Sequence, residues 1–171
     1  MIMQSPRGAL NPTLKLGTLF GSTLKLHGIP RAERLPRMQA ALGEVVLSPE
    51  ILDRYPHQVS GGQAQRFSIA LVLALQADVV IADEPTSALD VTVQAEVIEV
   101  LRGLRDRVGT TMLFISHDLA VISELADDVT IMRQGQVIES GPVADVLRNP
   151  HEEYTQELLA AVPKIGAGGV T

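Results

Sequence analysis

The stretch from Val79 to Asp90, VVIADEPTSALD, decides the fold of this chain. Four apolar or small residues run into two adjacent carboxylates, Asp83 and Glu84, and Pro85 then ends the run. A short apolar run bounded by turn-forming residues is typical of a strand that is buried on both faces of a parallel sheet. Ligand sites in open α/β sheets lie at the carboxyl ends of the strands, so we expect the chemistry here.

The two carboxylates can take separate tasks. On an extended segment, neighbouring side chains point in opposite directions, so Asp83 could hold a metal ion while Glu84 addresses a water molecule. This division suits phosphoryl transfer, in which Mg²⁺ neutralises phosphate charge and a second group positions the nucleophile. The alternative is that both are merely polar residues that follow a buried strand, because short motifs often match by chance.

The composition bounds the class of protein. A chain of 171 residues, of which 46% are hydrophobic, is large enough for one ordinary domain with a real core. The net charge of −6 and the absence of a basic block argue against nucleic acid as the main partner. Without cysteine there is no disulfide, thiolate zinc site or cysteine nucleophile. No apolar run is long enough for a bilayer span and no secretory signal is visible, so we expect a cytosolic protein.

The rest of the chain separates into a helical and an alternating part. From Asn11 to Gln76 the apolar spacing is helical and predicts no strand. From Val79 to Leu125, strand and helix patterns alternate as in a parallel α/β sheet, and Gln134-Gly135 then predicts a hairpin. We therefore divide the chain into residues 1–10, a strand end and a loop at Gln4 to Gly8; 11–76, a helical subdomain; 77–162, the α/β half; and 163–171, a mobile glycine-rich tail.

The stretch VSGGQAQRFSIALVLAL, from Val59 to Leu75, is the second informative segment. Ser60 is a candidate N-cap, Gly61 and Gly62 leave backbone N–H groups uncovered, and apolar residues follow at helical spacing. Such a helix start can cradle a phosphate, because free N–H groups and the helix dipole both favour an anion. The alternative is a capped, buried helix with a flexible start.

Two further polar residues stand at element boundaries. Asp90 can cap a helix that Gly109 ends, and TMLFIS, residues 111–116, then predicts another buried strand. His117 follows that strand directly, which places it at the same sheet edge as the carboxylates. The alternative for His117 is a helix-capping or partly buried histidine.

Five motifs in this order resemble an ATP-binding cassette (ABC) ATPase: the glutamine loop at Gln4, VSGGQAQR, VVIADEP, SALD and SHD. Within the family, the runs YPHQVSGGQAQR, PTSALDVTVQAEVI and NPHEEYTQELLAAVP, with LNP at residues 10–12, resemble the ATPase subunits of oligopeptide and dipeptide importers. Nickel and glutathione importers share much of this sequence. The resemblance implies an α/β fold, namely a partial P-loop NTPase with a parallel sheet and a helical subdomain.

The resemblance also implies roles. Glu84 would be the general base, His117 the switch that contacts the γ-phosphate, and Asp83 the Mg²⁺ ligand, through water. Gln4 would sense the metal and γ-phosphate and couple to the membrane subunit. The residues implied in contact with ATP held by an opposing ATPase subunit are Ser60, Gly61, Gly62 and Gln63, and Asp90 would link the two sites.

The implied cofactors are ATP and Mg²⁺. The implied partners are a second ABC ATPase subunit in a head-to-tail dimer and transmembrane permease subunits, with no nucleic acid. The implied location is cytoplasmic, peripheral on the inner face of the cell membrane.

The phosphate-binding loop GxxxxGK[ST] does not occur in the sequence, and none of its three lysines, Lys15, Lys25 and Lys164, follows a glycine. This loop supplies the phosphate cradle, the lysine and a Mg²⁺ ligand. We therefore expect the carboxyl-terminal two thirds of an ATPase subunit, which alone neither binds ATP tightly nor hydrolyses it. We also expect an unpaired sheet edge and exposed apolar surface.

Two alternatives remain open. One is a soluble ABC ATPase that acts on ribosomes or DNA instead of serving transport. The other is a naturally truncated, non-enzymatic protein, which either offers its VSGGQ face to the phosphate loop of a complete partner or is an inert remnant.

Overall fold

The computed structural model describes residues 1–87 and 89–161, without the side chains of residues 107 and 108. The tail predicted to be mobile, residues 163–171, lies outside the described residues. The chain forms two compact units, the first from Met1 to Ser116 and the second starting at His117. The first unit thus contains the helical segment together with the strands around Asp83, and the four-part division of the chain stays a prediction.

The segment from residue 11 to residue 76 is helical, as predicted, with no strand in it. Its core includes Phe20 and Phe67, both fully buried, which meet edge to face with ring centroids 5.5 Å apart. This is a favourable geometry for an aromatic pair. The helices of the first unit are α1 (Pro6–Ala9), α2 (Leu16–Leu26), α3 (Arg31–Glu44), α4 (Gly61–Leu75) and α5 (Val91–Val108), with 3₁₀ turns at Pro49–Asp53 and Pro56–Gln58.

The segment predicted as a loop, Gln4 to Gly8, contains the start of α1, so that prediction is wrong over Pro6 to Gly8. Proline favours the first position of a helix, because its fixed φ suits the helix and its missing N–H needs no partner there. The turn is closed by a hydrogen bond of 3.2 Å from the Leu10 amide to the Pro6 carbonyl.

The predicted parallel sheet is present. Strands β1 (Val79–Asp83) and β2 (Thr111–Ile115) pair in parallel along their whole length. On the other side of β1, Ile2 forms a parallel bridge to Ala82, with hydrogen bonds from the Ile2 amide to the Ile81 carbonyl (2.7 Å) and from the Asp83 amide to the Ile2 carbonyl (2.9 Å). The chain therefore pairs with β1 at Ile2, through one bridge.

The two faces of this sheet differ. Val80 and Ala82 of β1 are buried on one face. The prediction that β1 is buried on both faces is wrong, because the described residues cover only one. The opposite face presents apolar side chains, which matches the expectation of exposed apolar surface. Their exposed fractions are 62% for Val79, 38% for Ile81, 57% for Leu113 and 46% for Ile115.

The second unit is built on the predicted hairpin. Strands β3 (Asp128–Arg133) and β4 (Gln136–Pro142) pair antiparallel, and the turn residues Gln134 and Gly135 both have positive φ, as a type I′ turn requires. Over residues 117–161, three helices accompany the hairpin: α6 (Leu119–Leu125), α7 (Val143–Arg148) and α8 (Glu153–Ala161). Within the described part of the chain, no helix combines the length and the apolar character needed to cross a membrane.

Candidate functional site

Helix α4 begins with the predicted cap. The Ser60 hydroxyl accepts a hydrogen bond from the Gln63 amide (3.1 Å), and the Gln63 side chain accepts one from the Ser60 amide (3.0 Å). This reciprocal capping box fixes the first turn. The amides of Gly61 and Gly62 belong to the group of N–H donors at a helix start that have no partner within the helix. The start of α4 can therefore receive an anion.

The two glycines differ in their surroundings. A Cβ atom added to Gly61 would meet nothing within 4 Å, whereas one added to Gly62 would lie 2.5 Å from Cγ1 of Val93 in α5. Gly61 therefore leaves the helix start open to a ligand. Gly62 is required because α4 and the first turn of α5 approach closely. The sequence indicated the bare backbone but not this packing role.

Asp83 is the last residue of β1, and Glu84 lies just beyond it. Glu84 has a φ of 47°, and its amide donates a hydrogen bond of 2.9 Å to the Ile115 carbonyl. The chain thus turns at Glu84, so the argument that both carboxylates lie on an extended segment is wrong for Glu84. Left-handed backbone at a non-glycine residue costs about 1–3 kcal/mol. Both side chains are half-buried.

A hydrogen-bond chain joins the glutamine segment to this turn. Nε2 of Gln4 donates to the Ser87 hydroxyl (3.3 Å), and that hydroxyl donates to the Glu84 carbonyl (3.2 Å). The structure therefore brings Gln4 to the segment that carries Asp83 and Glu84, while its contact with a metal or a γ-phosphate stays a prediction. Ser87 was not singled out from the sequence, and its place inside the PTSALD string was the available signal.

Asp90 caps α5, as predicted. Its Oδ1 accepts a hydrogen bond of 3.0 Å from the Val93 amide. A link from Asp90 to a second subunit stays a prediction.

His117 is exposed and is the first residue of the second unit. The N-cap of α6 is Asp118, whose Oδ1 accepts hydrogen bonds from the amides of Ala120 (3.0 Å) and Val121 (3.4 Å). His117 is therefore not the helix cap that its alternative assignment proposed. Its contact with a γ-phosphate stays a prediction.

A Mg²⁺ ion at Asp83 would need further ligands from outside the chain. Across residues 1–87 and 89–161, no three His, Asp or Glu side chains group closely enough to hold a metal ion by themselves. Mg²⁺ usually takes one or two carboxylates and completes its shell with phosphate oxygens and waters. The role of Asp83 as a Mg²⁺ ligand stays a prediction.

A parallel sheet that ends in an Asp-Glu pair, beside a capped glycine-rich helix start, defines an ATP-binding cassette type of α/β protein. The model of the ABC transporter family matches residues 2–87, half of the chain, and the chain belongs to this family. The predicted family and fold class are thus confirmed.

Its relatives include import proteins. The chain is 46% identical to a peptidoglycan transport ATP-binding protein of Agrobacterium fabrum, over 98% of this chain and 31% of that protein. It is 45% identical to a putative peptide import ATP-binding protein of Brucella ovis, over 95% of this chain and 51% of that one. A glutathione import ATP-binding protein of Salmonella typhi is 42% identical over 98% of this chain and 27% of its own length. The chain therefore spans about half or less of these relatives.

Solved structures share the fold. A dimeric ATP-binding cassette in a post-hydrolysis state, bound to ADP and Pi, matches 83% of this chain and 62% of its own, with 26% identity and a TM-score of 0.69. The Clostridium perfringens protein cbiO1, part of an ABC transporter complex, matches 96% of this chain and 64% of its own, with 26% identity and a TM-score of 0.75.

Proposed function

We propose that this chain is the carboxyl-terminal part of an ATP-hydrolysing subunit that powers an importer of peptides or related small solutes, such as glutathione or nickel. The observation that carries the proposal is the start of α4, where Ser60 caps the helix and Gly61 faces open space. This geometry suits an anion that arrives from outside the chain. The identities of 45% and 42% to peptide and glutathione import ATP-binding proteins support the importer class.

In this proposal the start of α4 serves a second subunit. Ser60, Gly61, Gly62 and Gln63 contact the γ-phosphate of ATP held by the opposing subunit, and Asp90 links the two sites of a head-to-tail dimer. The dimeric state of one solved relative is in line with this arrangement. Transmembrane permease subunits are the further partners, and the place of action is the cytoplasmic face of the cell membrane.

The sheet edge that carries Asp83 and Glu84 serves the chain's own nucleotide site. Glu84 activates the attacking water. Its amide donates a hydrogen bond to the Ile115 carbonyl, and its carbonyl accepts one from the Ser87 hydroxyl, so the backbone of Glu84 is held at both groups. Gln4, tied to the same turn, senses the γ-phosphate, and His117 is the switch residue that contacts a γ-phosphate. Asp83 would hold Mg²⁺, which would neutralise charge at the phosphates.

Without GxxxxGK[ST] the 171 residues lack the main phosphate cradle, so the chain alone binds ATP weakly and does not hydrolyse it.

The proposal is tested by fusing the phosphate-loop segment of the Brucella ovis relative ahead of Met1. We expect the unfused chain to show no hydrolysis and the fused protein to hydrolyse ATP. Glu84→Gln should lower the rate of the fused protein about 10²–10⁴-fold, the usual contribution of a general base. A folded fusion that binds ATP without hydrolysing it, or that ignores Glu84→Gln, would refute the enzymatic proposal.

A further inference from the structure

Arg7 joins two segments of the first unit that are far apart in sequence. One nitrogen of its guanidinium donates a hydrogen bond to the carbonyl of Val59, the residue that directly precedes the Ser60 cap of α4. Arg7 lies in α1, and α1 packs against α4. The resemblance to ABC ATPases gives a role to Gln4 and to Ser60 but none to Arg7.

The carbonyl of Val59 depends on Arg7 for a partner. Val59 is 3% exposed, and among the described residues no backbone amide donates to its carbonyl. Backbone polar groups in buried segments are nearly always paired, because an unpaired group loses its hydration without compensation. A guanidinium donor forms a charge-assisted hydrogen bond, which is stronger than a bond between neutral groups. Arg7 therefore fixes the backbone just ahead of α4.

The peptide bond between Val59 and Ser60 is held at both ends. Arg7 binds its carbonyl oxygen, and the Gln63 side chain accepts a hydrogen bond of 3.0 Å from its N–H group, the Ser60 amide. Because a peptide unit is planar and rigid, a rotation that breaks one of these bonds also strains the other. Arg7 thus supports the capping box that orients the Ser60 hydroxyl and the Gly61 amide.

Arg7 is also tied to the glutamine segment. It lies three residues after Gln4, in a turn that is closed by a hydrogen bond of 3.1 Å from the Gly8 amide to the Ser5 carbonyl. The Gln4 side chain is linked in turn to the Ser87 hydroxyl, in the segment that follows β1. One short turn therefore connects the segment after β1 with the start of α4.

We propose that Arg7 is a positioning residue for the ATP site on the opposing subunit. By holding the Val59–Ser60 peptide, it keeps the Ser60 hydroxyl and the Gly61 amide in the orientation that meets the γ-phosphate, in register with the glutamine segment. Arg7 acts through Val59 and does not touch the nucleotide. This inference rests on the proposed function and adds to it the side chain that holds the start of α4 in place.

The positioning is tested first without nucleotide, by amide hydrogen exchange of the full chain measured by NMR. Arg7→Met removes the donor, and because Arg7 is exposed the change opens no hole in the core. The amides of Ser60 and Gln63 should exchange about 3–10-fold faster, the effect of losing one hydrogen bond. The Val93 amide, which is bonded to the Asp90 cap of α5, should keep its exchange rate.

Two matched variants accompany Arg7→Met. Arg7→Lys keeps a charged donor, so it should restore part of the protection at Ser60 and Gln63. Arg54→Met removes an exposed arginine elsewhere in the first unit and should change none of these exchange rates.

A second measurement gives the catalytic consequence. The complete Brucella ovis relative is inactivated by a substitution at the serine that corresponds to Ser60, and it is mixed with an excess of this chain. ATP is then bound by the phosphate loop of the relative, while the start of α4 comes from this chain. Arg7→Met should therefore lower the kcat of the restored hydrolysis about 3–10-fold and leave the KM for ATP unchanged. Arg7→Lys should recover part of the kcat.

The two measurements separate this inference from the proposed function. If the unsubstituted chain restores no hydrolysis, the proposed function fails, while the exchange rates still decide whether Arg7 holds the start of α4. Unchanged exchange at Ser60 and Gln63 in Arg7→Met would overturn the inference. Equal acceleration at Val93 would also overturn it, because the loss of stability would then be global. Faster exchange with an unchanged kcat would leave Arg7 a purely structural residue and would overturn its role in positioning.

Discussion

The side chain of Gln4 donates a hydrogen bond from Nε2 to the hydroxyl of Ser87, at 3.3 Å. Because the same hydroxyl donates to the Glu84 carbonyl at 3.2 Å, the glutamine segment and the turn after β1 share one link. This link joins the residue proposed to sense the γ-phosphate with the residue proposed to activate water.

Removing the Ser87 hydroxyl should therefore uncouple Gln4 from the turn. Ser87→Ala is expected to lower the free energy of unfolding by about 0.5–1.5 kcal/mol, the usual value of a hydrogen bond. The measurement is urea unfolding of Ser87→Ala, Gln4→Ala and the double variant. The double variant should lose less than the sum of the single losses, and strict additivity would show that the bond contributes nothing.

The two glycines at the start of α4 should respond in opposite ways to alanine. Gly62→Ala places a methyl group against Val93 and is expected to cost about 1–2 kcal/mol of stability, as overpacking does. Gly61→Ala points into open space and should be neutral or slightly stabilising, because alanine favours a helix. Chemical unfolding of the pair measures the difference.

Val93→Ala is the control for this pair. It makes room for the methyl group, so the cost of Gly62→Ala should shrink in its presence. Equal losses for both glycine variants would contradict the packing role of Gly62.

Val46 carries backbone strain at an exposed position. It has a φ of 53° and is 78% exposed, although a β-branched residue is disfavoured in the left-handed region. Val46→Asn should raise the free energy of unfolding by about 1 kcal/mol, because asparagine tolerates this conformation. Val91→Asn, at an 84% exposed position in the first turn of α5, should not stabilise, and a thermal scan compares the two.

Protonation of Glu139 at low pH should lower the stability of the second unit. The His151 amide, with help from the Glu152 amide, donates to this carboxylate and holds its pKa below the usual value. A carboxyl whose folded pKa is lowered stabilises the fold above its unfolded pKa of about 4.3, and this contribution disappears as pH falls through the folded pKa. NMR titration should show the depressed pKa, and Glu139→Gln should lose this part of the acid dependence. A Glu139 pKa at or above the unfolded value would contradict the account.

Local features of this fold could be predicted from the sequence. The caps at Ser60 and Asp90 each bind an amide three residues further along, and the Gln134-Gly135 turn needs only its own backbone angles. Such interactions are contained in a few neighbouring residues, so residue type and spacing reveal them.

Features set by distant contacts could not be predicted in this way. Glu84 leaves the extended conformation while its amide is bonded to Ile115, and nothing in the string ADEP specifies that partner. Gln65 stands among the polar residues near the start of α4, and nothing in its sequence position predicts that it is 1% exposed. The exposure of one face of β1 could not be predicted either, because the spacing of apolar residues does not show which element covers each face of a strand.

The central claim, that the start of α4 completes an ATP site on another subunit, is tested most directly by complementation. A complete relative is inactivated by a substitution at the serine that corresponds to Ser60. It is then mixed with this chain, and ATP hydrolysis is measured. We predict that mixing restores hydrolysis. Glu84→Gln in this chain should not change the restored rate. Gly61→Arg should abolish it, because that side chain occupies the open approach without removing the Ser60 cap. No stimulation, or stimulation that survives Gly61→Arg, would contradict the claim.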